Sequence, residues 1–444
     1  MSLELAVEVL YRFEQSGRKL DEIMAEATKD LPDMMKTNTK YIVNRAVTWQ
    51  GTFEQILKIY SDIKVEKIEK HLKAVFLATF AEFFFNREKV PAKVINDALN
   101  FLQAKSKRGF ANAILRKIAG DIILKDADES LSRRIVGEYK FSQDIFADPA
   151  QKSSKFLTQA YSIPEWLSKK LIETFPFARA LEIAEASNSD APVYIRANTM
   201  FIEPFGIKEQ MEAAEFSLEK TEHPSVFKLL INKSLIETEF FTEGLIYVQD
   251  LTSVLSSDIA QIKLPKNPRI VDGCAAPGGK ISHVYEQLEG EGKFTAVEIS
   301  KNKITMLEEN FKRLDHKIEV VNSDFRRFSL ASEEKYDLVL LDVPCSNLGV
   351  LARNPDVRLR LKPEDISALQ VIQNEMLESA TACLATEGYI NYSTCTILRE
   401  ENEERIAEFL TNHQEFELIS EQSWFPQKRG AQGGYRAILK RKLQ

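Results

Sequence analysis

Apolar residues recur at helical spacing through the first part of the chain. Ala6, Val9, Leu10 and Phe13 fall at i, i+3, i+4 and i+7, as do Ile95, Ala98, Leu99 and Leu102. The pattern predicts an all-helical region over residues 1–140. From Leu72 to Phe85 nearly every position is apolar, but Lys73 and Glu82 interrupt the run. A segment of this length predicts the buried centre of a bundle rather than a membrane span. Pro91 opens a further helix. The polar, weakly periodic stretch from Phe141 to Lys155 predicts a connector. Beyond it Pro164 to Leu167 opens a helix, Val193 to Arg196 alternates as a strand and Gly206 to Glu215 returns to helix, so residues 141–244 read as a connector and a small α/β unit. From residue 245 to 444 strand and helix alternate. Ile270–Val271, Phe294–Val297, Ile318–Val321, Leu338–Leu341 and Tyr389–Tyr392 are the predicted strands of a parallel, doubly wound sheet.

A chain of 444 residues is too long for one ordinary core, and an apolar share of 44% is that of a globular protein. No run of eighteen apolar residues occurs, and Met1-Ser2-Leu3-Glu4 lacks the basic-then-apolar order of a secretory signal. The expectation is a cytoplasmic protein with no membrane association. Four cysteines, at 274, 345, 383 and 395, form no C-x-x-C pair, and the five histidines lack ligand spacing, so neither a disulfide framework nor a metal site is expected. A formal charge of −7 does not advertise a nucleic-acid binder, although affinity for RNA depends on local basic clusters rather than net charge.

Cys345 and Cys395 each directly follow a predicted strand. Strands of such sheets aim their carboxyl ends at the ligand crevice, which makes both thiols candidate nucleophiles. The turn Cys274-Ala275-Ala276-Pro277-Gly278-Gly279-Lys280 links the first strand of the doubly wound domain to a helix, where small residues admit a ligand to the backbone. A phosphate loop does not fit, because Cys274 and Ile281 stand where Gly and Ser or Thr are required. The spacing of Gly273, Gly278 and Gly279 cannot be aligned to G-x-G-x-x-G either. A turn without a ligand is the plain alternative. Glu298, Asp324 and Asp342 end the next three strands. Glu298, 25 positions past Gly273, is placed to accept ribose hydroxyls. Any of the three could simply cap the following helix, Asp324 most readily because Arg326 and Arg327 follow it. Three acids beside a glycine-rich turn that lacks a phosphate motif suit S-adenosylmethionine.

These motifs resemble, in order, those of the Sun/Fmu-type RNA cytosine-5 methyltransferases, specifically the bacterial small-subunit ribosomal RNA enzymes with a NusB-like amino-terminal domain. Cys274 to Lys280, Asp342-Val343-Pro344-Cys345-Ser346, Arg353-Asn354-Pro355-Asp356, and Ser393-Thr394-Cys395 followed by Glu400-Glu401-Asn402-Glu403 carry the likeness. It extends upstream through Arg196-Ala197-Asn198-Thr199, Tyr247-Val248-Gln249-Asp250 and Gly109 to Arg116. Val343, Thr396 and Arg399 depart from the family's usual Ala, Ser and Pro without removing a reacting group, and Gly433-Gly434-Tyr435-Arg436 is a worn form of its acidic-Gly-aromatic-aromatic edge strand.

The resemblance implies a NusB-like RNA-binding bundle over 1–140, a small RRM-like unit to 244 and a Rossmann-like class I methyltransferase domain over 245–444. It implies S-adenosylmethionine held by Cys274 to Lys280, Glu298, Asp324 and Asp342, and methylation of carbon 5 of a specific cytosine in 16S ribosomal RNA, free or in an assembling small-subunit particle. It makes Cys395 the nucleophile at carbon 6, Cys345 the group that acts after transfer and Asp342 the partner of the base. The residues alone leave the order of the thiols open, since DNA cytosine methyltransferases attack through a Pro-Cys thiol. Cys274 and Cys383 read as inert. Beside a catalytic domain of this kind, three basic groups shift from solvated faces toward phosphate contacts: Lys105, Lys107, Arg108, Arg116 and Lys117; Arg353, Arg358, Arg360 and Lys362; and Lys428, Arg429, Arg436, Lys440, Arg441 and Lys442. A transfer RNA enzyme and a non-catalytic assembly factor remain as alternatives, and both thiols and Asp342 argue against the second.

Overall fold

The computed structural model describes residues 2–61, 63–86, 89–126, 132–230 and 234–443. The chain forms two compact units, residues 1–188 with 354–360, and residues 189–353 with 361–444.

The first unit opens with a helical bundle that ends at the helix Lys105–Gly120. The helix Lys70–Phe85 is buried all round, as an apolar circumference requires. Phe53, from the helix Gln50–Tyr60, lies 5.4 Å from the Phe80 ring and 5.9 Å from the Phe84 ring. The expectation that helix continues to residue 140 does not hold. Three short antiparallel strands follow the bundle, Ile122–Leu124, Ile135–Val136 and Tyr139–Phe141. β-Branched pairs favour the extended chain there. Tyr139 and Phe141 alternate inward, reaching Phe83 at 5.7 Å and Phe84 at 5.9 Å. The predicted connector is also shorter than expected, because the helix Ser153–Tyr161 begins inside it and buries Phe156, Leu157 and Ala160. The helices Glu165–Thr174 and Phe177–Ser187 complete the run.

The segment 354–360 packs within this unit. Arg358 is 3% exposed and donates to Thr48 O (2.7 Å), Asn188 Oδ1 (2.8 Å) and Ser187 O (2.9 Å). Burial lowers its guanidinium pKa to about 9. Arg358 is therefore a structural residue and not a phosphate contact, contrary to the expectation from the sequence.

The second unit holds two sheets. A four-stranded antiparallel sheet runs in the order Leu218–Lys220, Val226–Leu229, Val193–Ala197, Ile246–Val248, with the helix Pro204–Ala213 packed beside it. The large sheet has seven strands, numbered here along the chain: β1 (Arg269–Asp272), β2 (Lys293–Glu298), β3 (Glu319–Asn322), β4 (Tyr336–Asp342), β5 (Leu384–Thr394), β6 (Phe416–Trp424) and β7 (Gly434–Arg441). Their order is β3-β2-β1-β4-β5-β7-β6. Strands β1 to β5 are parallel and β7 is antiparallel to both neighbours. Along β4, Val339 and Leu341 enter one apolar cluster and Leu338 and Leu340 another, so both faces are covered, as a doubly wound sheet demands.

The worn carboxyl-terminal motif begins an interior strand, not an edge. Tyr435 pairs with Thr394 on one side and Ser423 on the other. Arg436 is buried and donates to Leu255 O and Asp258 O, while Arg441 donates to Leu384 O and Thr381 O. Both are spent on backbone carbonyls, which removes them from the predicted RNA face. Among the described residues no helix is long and apolar enough to cross a membrane, and no group of three or more His, Cys, Asp or Glu side chains is placed to hold a metal ion.

Candidate active site

Four loops leave the carboxyl ends of β1, β2, β4 and β5, the edge at which doubly wound sheets bind ligands. Because β4 and β5 are parallel neighbours paired from Leu338↔Tyr389 to Asp342↔Ser393, the turns that follow them are brought together. The sulfurs of Cys345 and Cys395 lie 3.0 Å apart, both as free thiols. The Cys395 N–H donates to Cys345 Sγ (3.3 Å), and the Cys395 thiol donates to Asn347 Oδ1 (2.9 Å). The hydrogen bond to Cys395, reinforced by burial, holds the Cys345 thiol well above the ordinary thiol range.

Asp342, at the last position of β4, accepts from Ser393 Oγ (3.2 Å) and forms an ion pair with Lys280. That lysine comes from the first turn of the helix Gly279–Gln287, so the glycine-rich turn and the loop that carries Cys345 meet at one carboxylate. The backbone turns sharply at Gly278, whose φ of +101° favours glycine and where a Cβ would stand 2.8 Å from the Phe311 ring. Asp272, at the end of β1, accepts from the Cys274 N–H (3.1 Å). Its carboxyl is pushed up to about 7, chiefly by burial, with Asp342 and Glu298 adding to the effect. Glu298 is buried at the end of β2 and accepts from the Ser300 N–H (2.9 Å), and the next residue, Ile299, is 65% exposed. Three carboxyl groups therefore share one crevice edge with one lysine.

Asp324 stands at the end of the β3 connection. It caps the helix Phe325–Ala331 through the Arg326 N–H (2.9 Å) and binds the Arg326 guanidinium, which holds its carboxyl below the usual range. The plain alternative raised by the sequence accounts for these contacts. Cys274 and Cys383 are held above the ordinary thiol range by burial, Cys383 at about 11, which suits inert core thiols.

One residue of the site had no role assigned from the sequence. Glu401, fully buried, accepts from Ser346 N (3.0 Å), Ser346 Oγ and Gln373 Nε2 (3.0 Å). Ser346 Oγ lies 2.6 Å from Thr396 Oγ1, and Gln373 also donates to Pro344 O (3.0 Å). The carboxylate thus ties the residues flanking Cys345 to the residue after Cys395. Burial raises its pKa. Its only signal in the sequence is the acidic run Glu400-Glu401-Asn402-Glu403 just after Cys395. Gly349 braces the pair from the other side: its N–H donates to Cys395 O (3.0 Å), and a Cβ there would lie 2.6 Å from Gly433 O.

Of the basic groups, Lys105, Lys107, Arg108, Arg116 and Lys117 are exposed on the helix Lys105–Gly120. Arg353 is occupied by Pro192 O (2.7 Å) and Asp250 (3.0 Å).

Residues 260–440 match the family described as 16S rRNA methyltransferase RsmB/F, residues 2–120 the NusB family, and residues 163–232 the ferredoxin-like domain of RsmF/B-like methyltransferases. A probable ribosomal RNA small subunit methyltransferase B of Bacillus subtilis (strain 168) is 27% identical over 425 residues, covering 93% of this chain and 89% of its own length. The ribosomal RNA small subunit methyltransferase B of Klebsiella pneumoniae (strain 342) is 30% identical over 311 residues, covering 69% of this chain and 70% of its own. The crystal structure of PH0851 shares the fold with a TM-score of 0.76 at 22% identity, over 99% of this chain and 98% of that one.

Proposed function

Because the chain belongs to the RsmB/F family of ribosomal RNA methyltransferases, with a NusB-like module at its start, we propose that it methylates carbon 5 of a cytosine in small-subunit ribosomal RNA. The observation that carries the reading is the pair of thiols 3.0 Å apart in the turns that follow two adjacent parallel strands, beside Asp342.

Carbon 5 of cytosine is a weak nucleophile until a thiolate adds at carbon 6. Cys395 attacks as its thiolate, and Cys345, whose sulfur lies 3.0 Å away, acts after transfer. Asp342 engages the base, and Lys280 and Ser393 fix its carboxylate. After transfer Cys345, as its thiolate with its own proton already passed to water, takes the carbon-5 proton. The electrons of that C–H bond restore the ring double bond, the bond from carbon 6 to sulfur breaks, and Cys395 leaves as thiolate.

The donor set fits S-adenosylmethionine. A cationic ligand suits a crevice edge where Asp342 and Glu298 add to the cost of ionising the buried Asp272. The residues that would hold it are the turn from Cys274 to Lys280, Glu298, Asp342 and, at the flank, Asp324; the cofactor supplies an electrophilic methyl group. Within this reading residues 1–140 are the RNA-binding module, 141–244 the connector and small α/β unit and 245–444 the catalytic domain. Ribosomal RNA, or the particle assembling on it, is the partner, in the cytoplasm.

Bisulfite sequencing of ribosomal and transfer RNA from cells lacking the protein tests this. One cytosine of the small-subunit RNA should lose its methyl group. Loss confined to transfer RNA would transfer the activity to that substrate, and loss in neither would refute it.

A further inference from the structure

The two upstream motifs, Arg196-Ala197-Asn198-Thr199 and Tyr247-Val248-Gln249-Asp250, take no part in the chemistry above, yet they come from adjacent strands of the four-stranded sheet and converge behind the cofactor turn. Arg196 is 0% exposed. Its Nη1 donates to Gly279 O (2.9 Å) and to Gln249 Oε1, and its Nη2 donates to Glu286 Oε1 (2.7 Å). Residues 279 and 286 are two turns apart on one face of the helix Gly279–Gln287, so a single planar guanidinium grips that helix at its start and near its end. Tyr247 OH donates to Pro277 O (3.0 Å), which also accepts from Asn310 Nδ2 (3.0 Å). Asn198 Nδ2 donates to Leu314 O (3.2 Å), just beyond the helix Lys301–Arg313. The fit at Gly279 is close: a Cβ there would stand 3.0 Å from the Gln249 amide carbon and 3.1 Å from the Tyr247 ring, so either would have to give by a few tenths of an ångström.

A buried ion pair adds little to stability over an apolar pair of the same shape, so stability alone does not account for Arg196–Glu286. We propose that Arg196 and Tyr247 are positioning residues for the cofactor: the small sheet serves as the back plate that fixes the carbonyls of Pro277 and Gly279, and through them the turn that receives S-adenosylmethionine. This deepens the cofactor reading given above and rests on it. The small sheet then acts on the affinity for cofactor, whatever it also does toward RNA.

The test is calorimetric titration of the full chain with S-adenosylmethionine, alongside RNA binding and thermal melting, for wild type, Tyr247→Phe and Arg196→Lys. Tyr247→Phe keeps the ring and removes one hydrogen bond to Pro277, so the cofactor Kd should rise about two- to tenfold. Melting and RNA affinity should stay at wild-type values. In turnover the change should appear in KM for cofactor and not in KM for RNA. Arg196→Lys keeps the charge for Glu286 but cannot make the same fork, and the loss should be larger, about tenfold or more. An unchanged cofactor Kd in Tyr247→Phe, or a loss that only follows a fall in melting temperature, would overturn the proposal. Failure of the wild type itself to bind S-adenosylmethionine would instead bring down the cofactor reading, and this inference with it.

Discussion

Replacing Glu401 by Gln and by Ala separates the shape of its carboxylate from its charge. Oε1 accepts from Ser346 N and Gln373 Nε2, both at 3.0 Å, and Oε2 accepts from Ser346 Oγ. A glutamine amide can keep all three contacts. Its oxygen takes the two N–H donors and its NH2 donates to Ser346 Oγ, whose own proton turns to Thr396 Oγ1, 2.6 Å away. Alanine leaves two buried N–H donors unpaired, and at about 1–3 kcal/mol for each, Glu401→Ala should lose about 2–6 kcal/mol. Charge adds a dependence on pH. Burial raises the Glu401 carboxyl, so any stability it contributes is complete below the unfolded carboxylate pKa of about 4.3 and lost as pH rises through the folded value. Glutamine does not suffer that loss, so the balance should move toward Glu401→Gln as pH rises. Urea unfolding at two pH values, with single-turnover methylation of a ribosomal RNA fragment, reads both effects. Methylation should survive in Gln and collapse in Ala, where the residues flanking Cys345 are released. A urea midpoint for Glu401→Ala equal to that of wild type, or a Gln variant as damaged as Ala, would refute the reasoning.

For the thiols, Cys395→Ala should abolish methyl transfer and any covalent RNA adduct, whereas Cys345→Ala should methylate once and accumulate an adduct that survives denaturing electrophoresis; the opposite pattern would exchange their roles. Asp272, poised at about 7, should lose part of its proton when a cation enters beside it, so calorimetry of S-adenosylmethionine binding in buffers of different ionisation enthalpy should show proton release near pH 7 that Asp272→Asn removes. If the heats are independent of buffer, Asp272 does not sense the ligand. Neutralising the exposed Lys105 and Arg108 should reduce the salt slope of RNA binding by up to about 2 and leave cofactor affinity unchanged; an unaltered slope would return that helix face to solvent.

The parallel strands were legible because a sheet covered on both faces writes continuous apolar runs, and β1, β2, β4 and β5 contain their predicted cores, while β3 is displaced by one residue at each end. Strand β6 was not read. It is one of the sheet's two edges, and its exposed Glu417, Leu418, Glu421 and Gln422 blur the alternation. The strands between residues 122 and 141 were missed because two- and three-residue segments carry too little pattern to oppose a helical reading. The thiols, the glycine-rich turn and Asp342 were visible as motifs. Glu401 was not assigned, since its partner Ser346 lies 55 residues away and only the pairing of β4 with β5 brings them together. Arg358 and Arg436 look like solvated charge in one dimension, and nothing local announces that backbone carbonyls, with Asn188 Oδ1 for Arg358, will accept their hydrogen bonds.

The seven residues from Asn354 to Arg360 count with the first unit, although the chain on both sides of them belongs to the second. The backbone therefore enters the first unit twice, and no single cut parts one from the other. A fragment starting at Ser189 would carry Arg358 away from Thr48, Ser187 and Asn188, leaving a guanidinium built for burial with none of its acceptors. Exchanging the amino-terminal module for another would therefore also require rewriting seven residues that lie, along the chain, between two stretches of the second unit.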